Sequence, residues 1–253
     1  QLIAGPIVHH HEMLPQFAKD ALYRFKTENI TLGLTIFIIG LFKKLVIADG
    51  VAVYVSPVFE SAELSTNLAF FAAWGGALAY TFQLYFDFSG YSDMAIGIAR
   101  MFGIVLPANF FSPYKATSII EFWRRWHITL SRFFKNYLYI PMGGGRKGVI
   151  QNMLNLFVTM LLGGLWHGAS WTFIIWGGMH GLGLAVNHGF RSTRILFRHN
   201  PLKVSPLGKV VSWALTFSFI IFAWVIFRAD SVNGVQHMFQ AMLGLNGLLL
   251  PEV

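Results

Sequence analysis

Two histidines carry most of the chemistry this chain could perform. His167 lies in Gly163-Gly-Leu-Trp-His-Gly-Ala-Ser-Trp171, near the middle of 43 consecutive positions, 148–190, that hold no Asp, Glu, Lys or Arg. An ionisable side chain in so apolar a run needs shielding by protein or a wet cavity, and such residues commonly mark functional sites. A near-neutral imidazole can take the proton from a hydroxyl as that hydroxyl attacks a carbonyl carbon. The structural alternative is a neutral ring hydrogen-bonded between packed helices. Ser170, three residues on, suggests a serine–histidine nucleophile, although a helical serine more commonly bonds its own backbone.

His127 stands in Glu121-Phe-Trp-Arg-Arg-Trp-His-Ile-Thr-Leu-Ser131, among aromatic and cationic groups. Water at a membrane interface would satisfy such a ring by default, with a functional imidazole as the alternative. His180, in Trp176-Gly-Gly-Met-His-Gly181, follows His167 by 13 residues. That is nearly four helical turns, so one continuous helix would hold the two rings apart. His180 therefore reads as structural, or as lining the same cavity. The run Gly143-Gly-Gly-Arg-Lys-Gly148 lacks the Ser or Thr of a phosphate loop and reads as a basic turn, able to hold a lipid headgroup or the phosphates of coenzyme A. His9-His10-His11-Glu12 has ligand chemistry, but adjacent residues converge poorly, and no metal is expected. With no cysteine in the chain, thiolate ligands, disulfides and a cysteine nucleophile are excluded.

The elements that position these residues must suit lipid. Of 253 residues only 12% are charged, about half the roughly 25% of a soluble domain, while 55% are hydrophobic and mean hydropathy is +0.56. Too little charged surface remains to solvate a compact soluble fold, and disordered, collagen-like and disulfide-scaffold classes fail on the same composition. A helical crossing needs roughly 20 apolar residues. Spans are predicted near 30–47, 64–86, 148–166, 168–190 and 210–227, with the long run broken around Gly163, Gly164 and Gly168. Lys43 and Lys44 interrupt the first span and must snorkel or face the protein interior. Residues 87–147 hold eight Lys and Arg and read as a cytoplasmic, interfacial segment, in which 119–138 predicts an amphipathic helix at headgroup level. The net charge of +8 fits anionic inner-leaflet lipid; the basic residues are too dispersed for nucleic acid.

Taken together, Phe122-Trp-Arg-Arg-Trp-His127, Tyr137-Leu-Tyr-Ile-Pro-Met-Gly-Gly144 and Gly164-Leu-Trp-His-Gly168 resemble the membrane-bound O-acyltransferase family, most of all its bacterial alginate-acetylating branch. Gln1-Leu-Ile-Ala-Gly-Pro6, Asp87-Phe-Ser-Gly-Tyr-Ser-Asp93 and Pro107-Ala-Asn-Phe110 fit the same branch, so the likeness runs through nearly the whole chain. The resemblance implies an all-α, polytopic bundle of transmembrane, re-entrant and interfacial helices in the bacterial inner membrane, thin at its centre and open to both faces. It matches His167 to the family's essential intramembrane histidine and His127 to its second polar site, which is Asn or Asp in some relatives.

The same resemblance implies an acetyl donor on the cytoplasmic side, acetyl-CoA, and an exported polysaccharide acceptor, alginate, with periplasmic acetyltransferase partners; it names no cofactor-binding residue. Family members carry further spans at both ends, so the chain reads as a piece of a longer one. His167 would serve as general base or as a covalent acyl carrier. Rival readings keep the fold and change the acceptor to cellulose, peptidoglycan or teichoic acid, make His167 and His180 a transporter's proton relay, or make the segment a scaffold for periplasmic enzymes.

Overall fold

Helices in lipid gain little from hydrophobic association, so close packing through small residues has to hold them together. Gly33 and Gly40 are spaced seven apart in the first apolar run, and Gly90 and Gly97 repeat that interval further on. In the computed structural model, which describes residues 5–66, 68–196 and 205–248, these four glycines interlock. A Cβ on Gly33 would lie 2.6 Å from the Gly97 carbonyl oxygen, and one on Gly40 would lie 2.6 Å from that of Gly90.

The described residues are helical and contain no strand. α1 (His10–Phe17) and a short 3-10 turn (Asp20–Tyr23) lead to α2 (Thr27–Phe42), which passes through a π-helical turn (Lys43–Ala48) into α3 (Asp49–Ala52). α4 (Ser56–Glu63) precedes the 32-residue α5 (Phe70–Met101). Two short helices follow, α6 (Ile119–Trp123) and α7 (Ile128–Phe134). α8 (Val149–His167) and α9 (Trp171–Leu196) then form a hairpin, and α10 (Pro206–Arg228) and α11 (Val232–Met242) complete the order. Among the described residues, three helical stretches are long and apolar enough to cross a membrane: Thr27–Ala52, Val149–His167 and Pro206–Arg228.

Three sequence expectations change. The span placed at 64–86 is displaced: Leu64 and Ser65 form a turn, and α5 begins at Phe70 and continues through Asp87 and Asp93. Charge does not end this helix because it is neutralised from the π-helical turn that continues α2, where Lys44 Nζ lies 2.7 Å from Asp87 and Lys43 Nζ 2.6 Å from Asp93. The two lysines thus face a neighbouring helix, and residues 87–101 belong to α5 rather than to a basic loop.

The single headgroup-level helix expected at 119–138 is instead divided at His127, which takes a left-handed backbone (φ 41°, ψ 55°). The aromatic side of this segment points inward, with Phe122, Trp126 and Phe134 all buried. Trp126 packs on Trp224 of α10 at 4.8 Å, and Phe122 stacks with His180 of α9 at 6.1 Å. The cover provided by α9 and α10 makes these aromatics core rather than interface.

The long apolar run breaks after His167, at Gly168–Ser170. Gly163 and Gly164, predicted as part of the break, remain helical and let α8 and α9 touch. A Cβ on Gly164 would collide with the Phe173 carbonyl oxygen, and one on Gly177 would lie 2.5 Å from that of Met160. Gly177→Ala should therefore destabilise the hairpin by about 1–3 kcal/mol, as overpacking does. Gly178→Ala, whose Cβ would meet only Leu161 Cδ1 at 3.8 Å, should be neutral or slightly stabilising. Thermal unfolding of the two detergent-solubilised variants checks the difference.

Candidate active site

His167 is the last residue of α8, just before the hairpin turn, and its ring is held by aromatic groups from three helices. Trp176 of α9 meets it edge-on at 5.1 Å and 87°, Phe227 of α10 at 5.0 Å, and Trp166 beside it at 5.1 Å. Aromatic edges and faces fix the plane of an imidazole without taking up its nitrogens. Neither ring nitrogen has a hydrogen-bond partner among the described residues, and the side chain is only partly buried. The arrangement orients the ring while leaving a proton acceptor available.

His180 shows the opposite state. The hairpin folds the chain back, so His167 and His180 both pack on Trp176, at 5.1 and 4.8 Å, although a single helix would separate them. His180 is fully buried, and its Nδ1 accepts a hydrogen bond from Trp123 Nε1 at 3.2 Å. Of the two readings the sequence left open, the structural one fits this ring.

His127 sits between α6 and α7 with its Nδ1 3.1 Å from Asn109 Oδ1 and its face against Phe88 at 4.7 Å. The strained backbone is clipped in place from both sides: Ile128 N–H donates to Asn109 O at 2.9 Å, and Phe111 N–H donates to Arg125 O at 2.9 Å. Phe134 of α7 joins this region to α8, meeting Trp166 at 6.3 Å.

The segment before α1, and α1 itself, brace the same corner. Ile7 N–H donates to Thr129 Oγ1 at 3.0 Å, and the Arg132 guanidinium grips both Glu12 oxygens at 2.6 and 3.0 Å. Burial alone would raise the Glu12 carboxyl, but the His9 backbone N–H and the Arg132 charge outweigh it and hold the carboxyl below its usual range.

The remaining sequence candidates have structural duties. Ser170 Oγ lies 2.9 Å from Thr172 Oγ1 and accepts from the Thr172 N–H, starting α9, and makes no bond to His167 among the described residues. The glycine turn at 143–148 is tied to α8, because Asn155 Nδ2 donates to Gly144 O at 2.8 Å. His9 stacks between His11 and Tyr137 at 5.2 and 5.9 Å. Among the described residues no three metal-ligating side chains converge. A cavity of about 490 Å³ between α9 and α10 is lined by Met179, Gly183, Leu215 and Phe219; neither candidate histidine lines it.

A family model described as "MBOAT, membrane-bound O-acyltransferase family" matches residues 1–227. The chain belongs to the membrane-bound O-acyltransferase family. It is 52% identical to a "Peptidoglycan O-acetyltransferase" of Helicobacter pylori, over 99% of this chain and 46% of that protein. It is 44% identical to a "Probable alginate O-acetylase AlgI" of Pseudomonas putida, over 100% of this chain and 49% of that one. A "Teichoic acid D-alanyltransferase" of Streptococcus thermophilus is 28% identical over 75% of this chain and 49% of the relative. The chain spans about half the length of the curated relatives it matches.

In this membrane-bound O-acyltransferase the residues around His127 that sequence reasoning passed over are Asn109, Ser92 and Thr129, each nearly without solvent exposure. Asn109 and Ser92 lie in Pro107-Ala-Asn-Phe110 and Asp87-Phe-Ser-Gly-Tyr-Ser-Asp93, which carried the family likeness, and Thr129 lies two residues after His127 in the same run. Because the Glu12 carboxyl is held low, the stabilisation it provides is complete above the ordinary carboxylate range, about pH 4–5, and is lost as pH falls through the depressed value. Acidification toward pH 3 should loosen the segment before α1, and Glu12→Gln should be loose already at pH 7. Protease susceptibility of that segment as a function of pH checks both outcomes.

Proposed function

We propose that this chain forms the catalytic half of an enzyme that moves an acetyl group from a cytoplasmic donor, acetyl-CoA, to hydroxyls of an exported cell-envelope polysaccharide. The observation that carries the reading is His167, oriented by three aromatic side chains, unpartnered among the described residues, and set at the turn of a helical hairpin. Family membership supplies the reaction class. In the direct form, His167 takes the proton of the acceptor hydroxyl, the oxygen bonds to the thioester carbonyl carbon, and the carbon–sulfur bond breaks. The thiolate then leaves with that proton. His127 orients a reactant. A covalent acyl-imidazole on His167 is the two-step form of the same transfer.

Alginate is the first acceptor under this reading, with the inner membrane as its site and periplasmic acetyltransferases as partners. The 52% identity to a protein named for peptidoglycan makes glycan strands of the wall the second acceptor. A proton relay between His167 and His180 is disfavoured because no hydrogen bond joins the two rings among the described residues and the Trp176 indole, a donor only, packs against both.

His167→Ala in the intact protein should reduce acetyl transfer by a factor of about 10²–10⁴, the usual contribution of a general base, while membrane insertion is unchanged. Ser170→Ala should keep transfer within about tenfold of the parent and cost about 1 kcal/mol of stability, as a lost helix cap does. Acetyl-CoA consumption with alginate and with peptidoglycan strands measures activity and acceptor together. Retained transfer in His167→Ala would remove the base from the mechanism, and a loss in Ser170→Ala as deep as that of His167→Ala would return the serine to it.

A further inference from the structure

The orientation of the Asn109 amide can be argued from its partners. Its Oδ1 lies 3.3 Å from the Thr129 backbone N–H, which can only donate, so this atom is the oxygen. The Thr129 hydroxyl accepts from the Ile7 N–H at 3.0 Å and donates to the same Oδ1 at 2.9 Å. On the other side of the amide, Nδ2 donates to Ser92 Oγ at 3.2 Å. A flipped amide would set its NH2 against the Thr129 N–H and lose that bond; the Ser92 and Thr129 hydroxyls can donate or accept and so fit either orientation, and the backbone N–H decides.

With the oxygen fixed, the proton on the neighbouring ring is fixed as well. His127 Nδ1 lies 3.1 Å from Oδ1, and a lone pair on each atom at that distance would repel. The contact is satisfied only with a hydrogen on Nδ1. A neutral imidazole then carries its lone pair on Nε2, and no described residue bonds to that nitrogen.

We propose that Asn109 is the positioning residue of the site, holding His127 in the Nδ1–H form so that Nε2 is the nitrogen able to accept a hydrogen bond from a reactant and so orient it. The proposal rests on the acyl-transfer reading for its purpose and on the hydrogen-bond geometry for its content. Asn109 touches no reactant; it acts through His127. Its support comes from three separate parts of the chain: Ser92 on α5, Thr129 on α7, and Ile7 ahead of α1. The groups facing the His127 ring are the phenyl rings of Phe88 and Phe110, and His167 is the titratable group whose charge it feels. Nothing else charged competes for its Nδ1 among the described residues.

Nitrogen-15 spectra of histidine-labelled intact protein in bilayers, with His127 assigned by difference from His127→Gln, read the tautomer without reference to activity. The expected result is Nδ1–H in the parent and in Asn109→Asp, and a mixture of tautomers in Asn109→Leu. In acetyl transfer, Asn109→Leu should lose about 100-fold in kcat, within the range of acid–base catalysis. Asn109→Asp should retain activity and move the acidic limb of its pH–rate profile upward, because a carboxylate beside Nδ1–H favours the imidazolium. A purely structural asparagine would not move that limb. An Nε2–H ring in the parent overturns the proposal even if Asn109→Leu fails to fold, as does an unmoved acidic limb in Asn109→Asp. Undiminished transfer by His127→Ala would sink the functional reading of that histidine instead, leaving the tautomer result to stand by itself.

Discussion

The contact between α8 and α9 is the constraint on which the rest of the site depends. A helix pair in lipid is held by packing and not by escape from water, so the separation of its axes decides the strength of the pair. Gly164 faces the Phe173 carbonyl and Gly177 faces that of Met160 so closely that no Cβ fits at either place. That approach brings Trp176 up beside the end of α8, where it meets His167, and the turn at Gly168–Ser170 ends α8 at that histidine. A wider hairpin would separate the imidazole from the indole that fixes its plane. The orientation of the His167 ring is thus a consequence of two missing side chains on facing helices.

Polar groups in such a bundle are treated in three distinct ways. Lys43 and Lys44 are paired with Asp93 and Asp87 across α2 and α5, which removes the cost of isolated charge in a low-dielectric setting. His180 is sealed in aromatic packing with one nitrogen bonded to Trp123. His127 is anchored through one nitrogen, and His167 is oriented by ring contacts alone. Two histidines that share the same tryptophan therefore differ in what they can do. Burial and a hydrogen bond make one of them architecture, and partial exposure leaves the other able to exchange a proton.

Much of this was legible in the sequence, and what was not has a physical reason. The charge-free run 148–190 announced a hairpin, and His167 within it drew attention because an imidazole in lipid is costly without purpose. The family motifs pointed to the membrane-bound O-acyltransferases on residues spread over the whole chain. Local pattern misplaced the start and end of the span at 64–86, because Asp87 reads as an end unless Lys44 is known to lie opposite, and that pairing joins residues far apart in sequence. The aromatic-and-arginine series at 119–138 has the composition of an interfacial helix, yet tertiary cover from α9 and α10 turns its aromatic side into core. The left-handed turn at His127 had no sequence signal of the usual kind, since no glycine occupies it.

That turn is where the architecture stores strain. A non-glycine residue in the left-handed region costs roughly 1–2 kcal/mol, and it persists only where the surroundings over-determine it. Around His127 they do: the backbone clips from Asn109 and Arg125 hold the turn, and the Asn109 amide holds the ring. An ordinary helical backbone through residue 127 would continue α6 into α7 as the sequence pattern predicts. The ring would then leave Asn109. The cost of the turn is the local consequence of seating the His127 imidazole on that amide, and the buried polar cluster of Ser92, Asn109 and Thr129 is what sustains it.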